Sequence, residues 1–272
     1  MPFDDNLYGT RTPHRLLALL KLVARGRMTS DLLKHYLQPT QLNPSQTGFE
    51  QVFSLARKGD LIKEDAEEIV HLQFDPLDLE DERRVRFVIN QKIMAQPERV
   101  FVRFSTWYLM QGRAVYRLGD DELVASFIHD LGATFNKTKL NAWKRWFIYF
   151  GYGFLHNGDI IPNVAGRLRD VLAFDHELPR QKAILLSDFM TWLNRTCPEL
   201  DFGEYANNFR GSAVLEPKKL FVGLSSGLRA LHDQGLVTLI YTPDATNIWQ
   251  LHRVSTHEIA AQVSSILIGG SL

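Results

Sequence analysis

Apolar residues recur every three or four positions along most of this chain, and many of these runs are closed by a glycine or a proline. From Thr12, a plausible N-cap ahead of Pro13, the stripe Leu16, Leu17, Leu20 and Val23 predicts a helix ending at Gly26. Leu32, Leu33, Tyr36 and Leu37 predict a second helix, closed by Pro39. A Pro/Gly/Ser/Asn loop is expected from Pro39 to Gly48. Phe49, Val52, Phe53 and Ala56 predict a third helix, ending at Gly59. Leu61-Ile62 and Glu68 to Leu72 then read as two strands around Asp65. Val85, Val88, Ile89 and Ile93 give a helix that Pro97 breaks, and Val100, Phe104, Trp107, Tyr108 and Met110 give another.

The middle of the chain has the clearest pattern. Asp120 and Asp121 open a helix through Leu123, Val124, Phe127 and Ile128 that ends near Gly132. Leu140, Trp143, Phe147 and Phe150 form the stripe of the next helix, which Gly151 and Gly153 stop. A hairpin follows with Asn157-Gly158 at its tip, a strong two-residue turn signal. Val164, Leu168, Val171 and Leu172 predict a short helix. Ile184, Leu185, Phe189, Trp192 and Leu193 predict another, and Phe202, Tyr205 and Phe209 a shorter one. Lys218 to Gln234 is expected to be helical, with Leu220, Leu224, Leu228 and Leu231 inward. After Gly235, strands at Leu236 to Tyr241 and Ile248 to Arg253 are expected to form a hairpin. Ser255 to Ala261 should be a final helix, and the apolar tail Val263 to Leu272 either packs or meets a partner.

Helices, glycine, then hairpin is the order of a winged helix-turn-helix, and it occurs up to three times. The fold class expected is therefore mainly α with small β-hairpins: tandem winged helix-turn-helix units joined by helices. The boundaries are an N-terminal winged helix over 1–78, a helical linker over 79–118, a central winged helix over 119–175, and a C-terminal winged helix with its tail over 176–272.

Charge decides which unit meets DNA. Lys plus Arg and Asp plus Glu are 31 each, so the chain is no uniformly basic nucleic-acid coat. Locally the balance differs. No acid lies between Leu131 and Gly158, where Lys137, Lys139, Lys144 and Arg145 would hold phosphates and Asn141 could pair with an adenine edge. Arg167 adds to that positive side, and Lys218, Lys219 and Arg229 are the equivalents in the last unit. The first hairpin instead carries Glu64, Asp65, Glu67 and Glu68, which favours protein contact there. Double-stranded DNA and other subunits of a defence or DNA-processing complex are the expected partners.

Enzyme signals are weak. Gly223-Leu224-Ser225-Ser226-Gly227 has the spacing of a hydrolase elbow, but it lies inside a helical run rather than at a strand-to-helix turn. His252 and His257 have no cysteine partner, because Cys197 is the one cysteine. No cofactor is expected. No apolar run is long enough to span a membrane, and Met1 to Asp5 has no basic n-region, so a cytoplasmic protein is expected.

Pro13-His14-Arg15-Leu16-Leu17-Ala18-Leu19-Leu20, the Phe49-to-Leu61 helix and strand, the Trp143-to-Ile161 segment and Gly227-Leu228-Arg229-Ala230-Leu231 together resemble the DpdG-like accessory proteins. Those are encoded with bacterial 7-deazaguanine DNA modification and restriction systems. The resemblance implies an accessory protein of an anti-phage system, working with helicase-like or nuclease partners; it carries over no catalytic residue. It leads one to expect an acidic residue and a threonine after the central proline, where this chain has Pro162-Asn163-Val164-Ala165. The function expected is a non-enzymatic DNA-binding accessory protein that reads duplex with the central unit. The alternative is a protein-interaction scaffold without DNA contact.

Overall fold

The computed structural model describes residues 11–39, 41, 47–132, 134–209 and 217–270. Most of the loop expected over 39–48, and the N-terminal residues read for a leader, lie outside the described residues. Packing divides the chain into two units, one of residues 1–102 and 119–149, the other of 103–118 and 150–272.

The first unit opens with α1 (Pro13–Val23), α2 (Ser30–Leu37) and α3 (Thr47–Lys58). Thr12 caps α1 by accepting from Arg15 N at 3.4 Å, and Thr29 caps α2 by accepting from Leu32 N at 3.3 Å. Leu16, Leu20 and Leu33, each 0% exposed, make the core where the helices meet. The strands β1 (Ile62–Glu64) and β2 (Val70–Leu72) form the expected antiparallel hairpin. Thr29 bridges to Ile69, so the link between α1 and α2 joins that hairpin as a third, minimal strand. At the turn, Asp65 accepts from the backbone N–H groups of Glu67 and Ile69 at 2.9 Å each and meets His71 Nε2 at 2.7 Å. That His71 bond, with the Ile69 N–H, holds the Asp65 carboxyl below its usual range.

Further along, α4 (Glu82–Met94) starts at an Asp81 cap, and α5 (Val100–Met110) crosses from the first unit into the second. The first unit finishes with α6 (Asp120–Leu131) and α7 (Lys137–Tyr149). The predicted stripe of α7 is buried, with Leu140, Trp143 and Phe147 at 0% exposure. Trp146 is buried as well, and its indole N–H donates to the Arg11 carbonyl at 2.7 Å.

In the second unit a 3-10 turn (Gly112–Arg117) precedes the hairpin of β3 (Gly153–His156) and β4 (Asp159–Pro162), with Asn157 and Gly158 both at positive φ in its turn. Next come α8 (Ala165–Phe174), β5 (Ala183–Leu185), α9 (Leu186–Thr196), α10 (Glu204–Asn208) and α11 (Val222–Asp233). The chain ends in β6 (Val237–Ile240), β7 (Trp249–Gln250), β8 (Gln262–Val263) and β9 (Ser265–Ile268). Gly227 of α11 sits against α8: an added Cβ would lie 2.9 Å from the Ala165 nitrogen and 3.0 Å from the Val164 carbonyl carbon, so only glycine fits without a backbone shift.

Several expectations are corrected here. Ile184 and Leu185 lie in a strand, not in the helix that starts at Leu186. β6 does not pair with β7; it pairs with β9, which also pairs with β5, giving the order β5-β9-β6. β7 pairs instead with β8. Ser255 to Ala261 forms turns rather than a helix. The described part of the tail is the central strand of a sheet, with Ile266 and Ile268 at 0% exposure. Among the described residues no helix is long and apolar enough to cross a membrane.

Candidate interaction surfaces

The outer ridge of α7 presents Lys137, Thr138, Asn141 and Arg145 to solvent. The chain is free of acids between Leu131 and Gly158, yet α6 brings acids to this helix. Lys144 Nζ lies 2.7 Å from Asp120 Oδ1, with side-chain exposures of 13% and 26%, and Lys137 Nζ lies 3.6 Å from Asp121 Oδ1. Lys139 donates to the Thr134 carbonyl at 2.7 Å. The Lys137 pair is exposed and contributes at most about 1 kcal/mol, so a phosphate could replace it. The Lys144 pair is half-buried and less easily exchanged.

Arg167 is not on the positive surface where its charge was expected. It is 1% exposed in α8, on the same stripe as Val164, Leu168 and Val171. Its Nε donates to Glu199 Oε1 at 3.0 Å, and the Tyr152 hydroxyl donates to the same oxygen at 2.6 Å. Burial pushes the Tyr152 hydroxyl and the neighbouring Cys197 thiol up, so both stay protonated. Removing one member of the Arg167–Glu199 pair would leave a buried charge uncompensated, at a cost of about 3–5 kcal/mol. The pair is a core device of the second unit.

Arg229 also departs from expectation. At 5% exposure, it donates from Nε to the Ile259 carbonyl at 3.0 Å and from Nη2 to the Ala260 carbonyl at 2.9 Å. Lys218 reaches Asn247 Oδ1 at 2.5 Å, and Lys219 is exposed beside β7. Ser225, the serine of the hydrolase-like spacing, is 0% exposed inside α11. Its hydroxyl accepts from His252 N at 2.8 Å and faces the Leu220 carbonyl at 3.5 Å. His257 meets Asp233 at 2.9 Å, while His252 lies over α11. The predicted cations of the last unit therefore do not form one outward face.

Sequence reasoning missed an apolar feature. Phe154 and Leu155 on β3 are 47% and 55% exposed. Alternate strand positions point to opposite faces, so two large apolar neighbours before an Asn-Gly turn cannot share one buried face. That signal was present in Phe154-Leu155-His156-Asn157-Gly158.

A sequence model of the DpdG-like family matches residues 8–245, most of the chain. No curated protein and no solved structure matches it.

Proposed function

Because this chain belongs to the DpdG-like family, which fits an accessory protein of a multi-protein DNA modification system, we propose that it is a non-enzymatic docking subunit of such a system in prokaryotic anti-phage defence. The observation that carries the reading is the β3–β4 hairpin, which offers two adjacent large apolar side chains, Phe154 and Leu155, to water. The occupant is an apolar groove on another subunit of the system.

The arrangement is read as winged helices adapted to protein contact. In the first unit the minimal strand at Thr29 and the hairpin β1–β2 follow the order of that motif. In the second, α8, β5, α9, α11, β6 and β9 follow it again, with the sheet order β5-β9-β6. There α11, in the place of a reading helix, is covered on one side by α8 and on another by residues 252–260, so it has no face left for a major groove. The acid-rich β1–β2 turn suits a protein partner better than phosphate.

The experiment is co-expression of the full chain with the proteins encoded beside it, followed by size-exclusion chromatography. Co-elution with a partner is expected, and Phe154→Glu with Leu155→Glu abolishes it without lowering the melting temperature. Co-elution that survives the double substitution overturns the reading. Direct duplex contact is a second reading, favoured by the exposed Lys137, Asn141 and Arg145 on α7. In that case Lys137→Glu with Arg145→Glu weakens a duplex gel shift and reduces its salt slope by roughly 2.

A further inference from the structure

Residues 249–263 fold into a ribbon over α11. Beyond the β7–β8 pair, Leu251 N donates to the Ala261 carbonyl at 2.7 Å and Val254 N to the Ala260 carbonyl at 3.0 Å. The ribbon is fixed from beneath at two points, by Ser225 Oγ on His252 N and by the Arg229 guanidinium on the Ile259 and Ala260 carbonyls. On it lies a groove of about 680 Å³, bordered by Lys219, Tyr241, Gln250, His252, Arg253 and Glu258. That size suits a small organic ligand rather than a lone ion.

The polar groups of this groove are unequally satisfied. His252 Nε2 is out of contact with solvent and has no hydrogen-bond partner among the described residues. Burial, then Arg113, Arg229 and Lys219, lower the proton affinity of the His252 ring, so several positive fields meet there. Arg253 is exposed and makes no hydrogen bond or ion pair among the described residues. The acid at the border, Glu258, is engaged by His232 Nε2, and the nearby Asp233 is engaged by His257. The half-exposed ring of Tyr241 and the Gln250 carboxamide supply a stacking face and amide hydrogen bonds.

We infer that this groove binds a nucleotide, its phosphate held by Arg253 within the field of Arg113 and Lys219, and its base against Tyr241. A phosphate supplies acceptors and a counter-charge for the Arg253 guanidinium. A base gives Tyr241 a partner of matching shape, since every base has a π-face. The nucleotide comes either free or as the phosphorylated end of a single strand, the recognition chemistry being the same.

The test is fluorescence titration of the full chain with N-methylanthraniloyl-labelled ATP, followed by competition with AMP and with a short 5′-phosphorylated single strand. Saturable binding is expected, weakened roughly tenfold or more in Arg253→Glu, as the loss of a charge-assisted contact requires. Arg253 is exposed, so this variant should melt as the wild type does; Tyr241→Ala is the second variant and should weaken binding similarly. Displacement by AMP alone assigns a free nucleotide, and displacement by the strand assigns a strand end. No binding at millimolar concentration, or binding equal in wild type and both variants, overturns the inference.

Discussion

Asp201 shows how one buried residue sets the pH response of the second unit. Its carboxyl is 2% exposed, accepts from Phe221 N at the start of α11, and burial pushes it up to about 7. In the unfolded chain it titrates near 3.8. The folded protein therefore holds the proton more tightly, and stability is greatest below pH 3.8 as far as this group is concerned. It falls as the pH rises from 3.8 through 7, where folding keeps a proton that the unfolded chain has released. Asp201→Asn retains an acceptor for Phe221 N and has no charge to bury. It should raise stability at pH 8 by roughly 4 kcal/mol and by little at pH 4, measured as urea midpoints. A gain equal at both pH values would show that burial of the charge is not the cause. Arg167 and Arg229 teach a related lesson: a cation's place on the helical stripe, not its charge, tells whether it faces water.

Among the elements, β9 is a short strand with two partners. It lies between β5 and β6, pairing Ala183 with Leu267 and Val237 with Ile268. Its Ile266 and Ile268 side chains are fully buried. Their burial stabilises the unit by roughly 3–6 kcal/mol, before any ladder hydrogen bond is counted. A chain ending at Ser264 should lose the cooperative thermal transition of the second unit, seen by circular dichroism or calorimetry. An unchanged transition would mean that β5 and β6 hold without their shared neighbour. The hairpin expected between 236–241 and 248–253 failed for the same reason. Local turn residues suggest adjacent pairing, but β6 alternates buried and exposed positions that match the tail strand, which arrives later in the chain.

At the scale of the whole molecule, 31 basic and 31 acidic residues leave no net charge at pH 7, and the isoelectric point is about 7.1. Such a protein lacks the long-range field that draws a polyanion, which weighs toward protein docking. It also lacks self-repulsion. Light scattering at low salt should therefore find the purified chain least soluble near pH 7 and markedly more soluble at pH 9. Phe154→Glu with Leu155→Glu should remove most of that difference, because it adds charge and deletes the exposed apolar pair together. Scattering independent of pH would place the self-association elsewhere than in neutral charge.

The sequence by itself determined most helices of this protein and the existence of the β1–β2 and β3–β4 hairpins. Those depend on periodicity, caps and turn residues only a few positions apart. It also carried the family resemblance, and it marked the exposed ridge of α7 by leaving Lys137, Asn141 and Arg145 outside the apolar stripe. Tertiary structure alone decided that Asp120 and Asp121 of α6 meet the lysines of α7, that β9 divides β5 from β6, and that residues 252–260 cover α11. Ion pairs and strand partners join residues far apart in the chain, and no local period encodes which distant segment completes them.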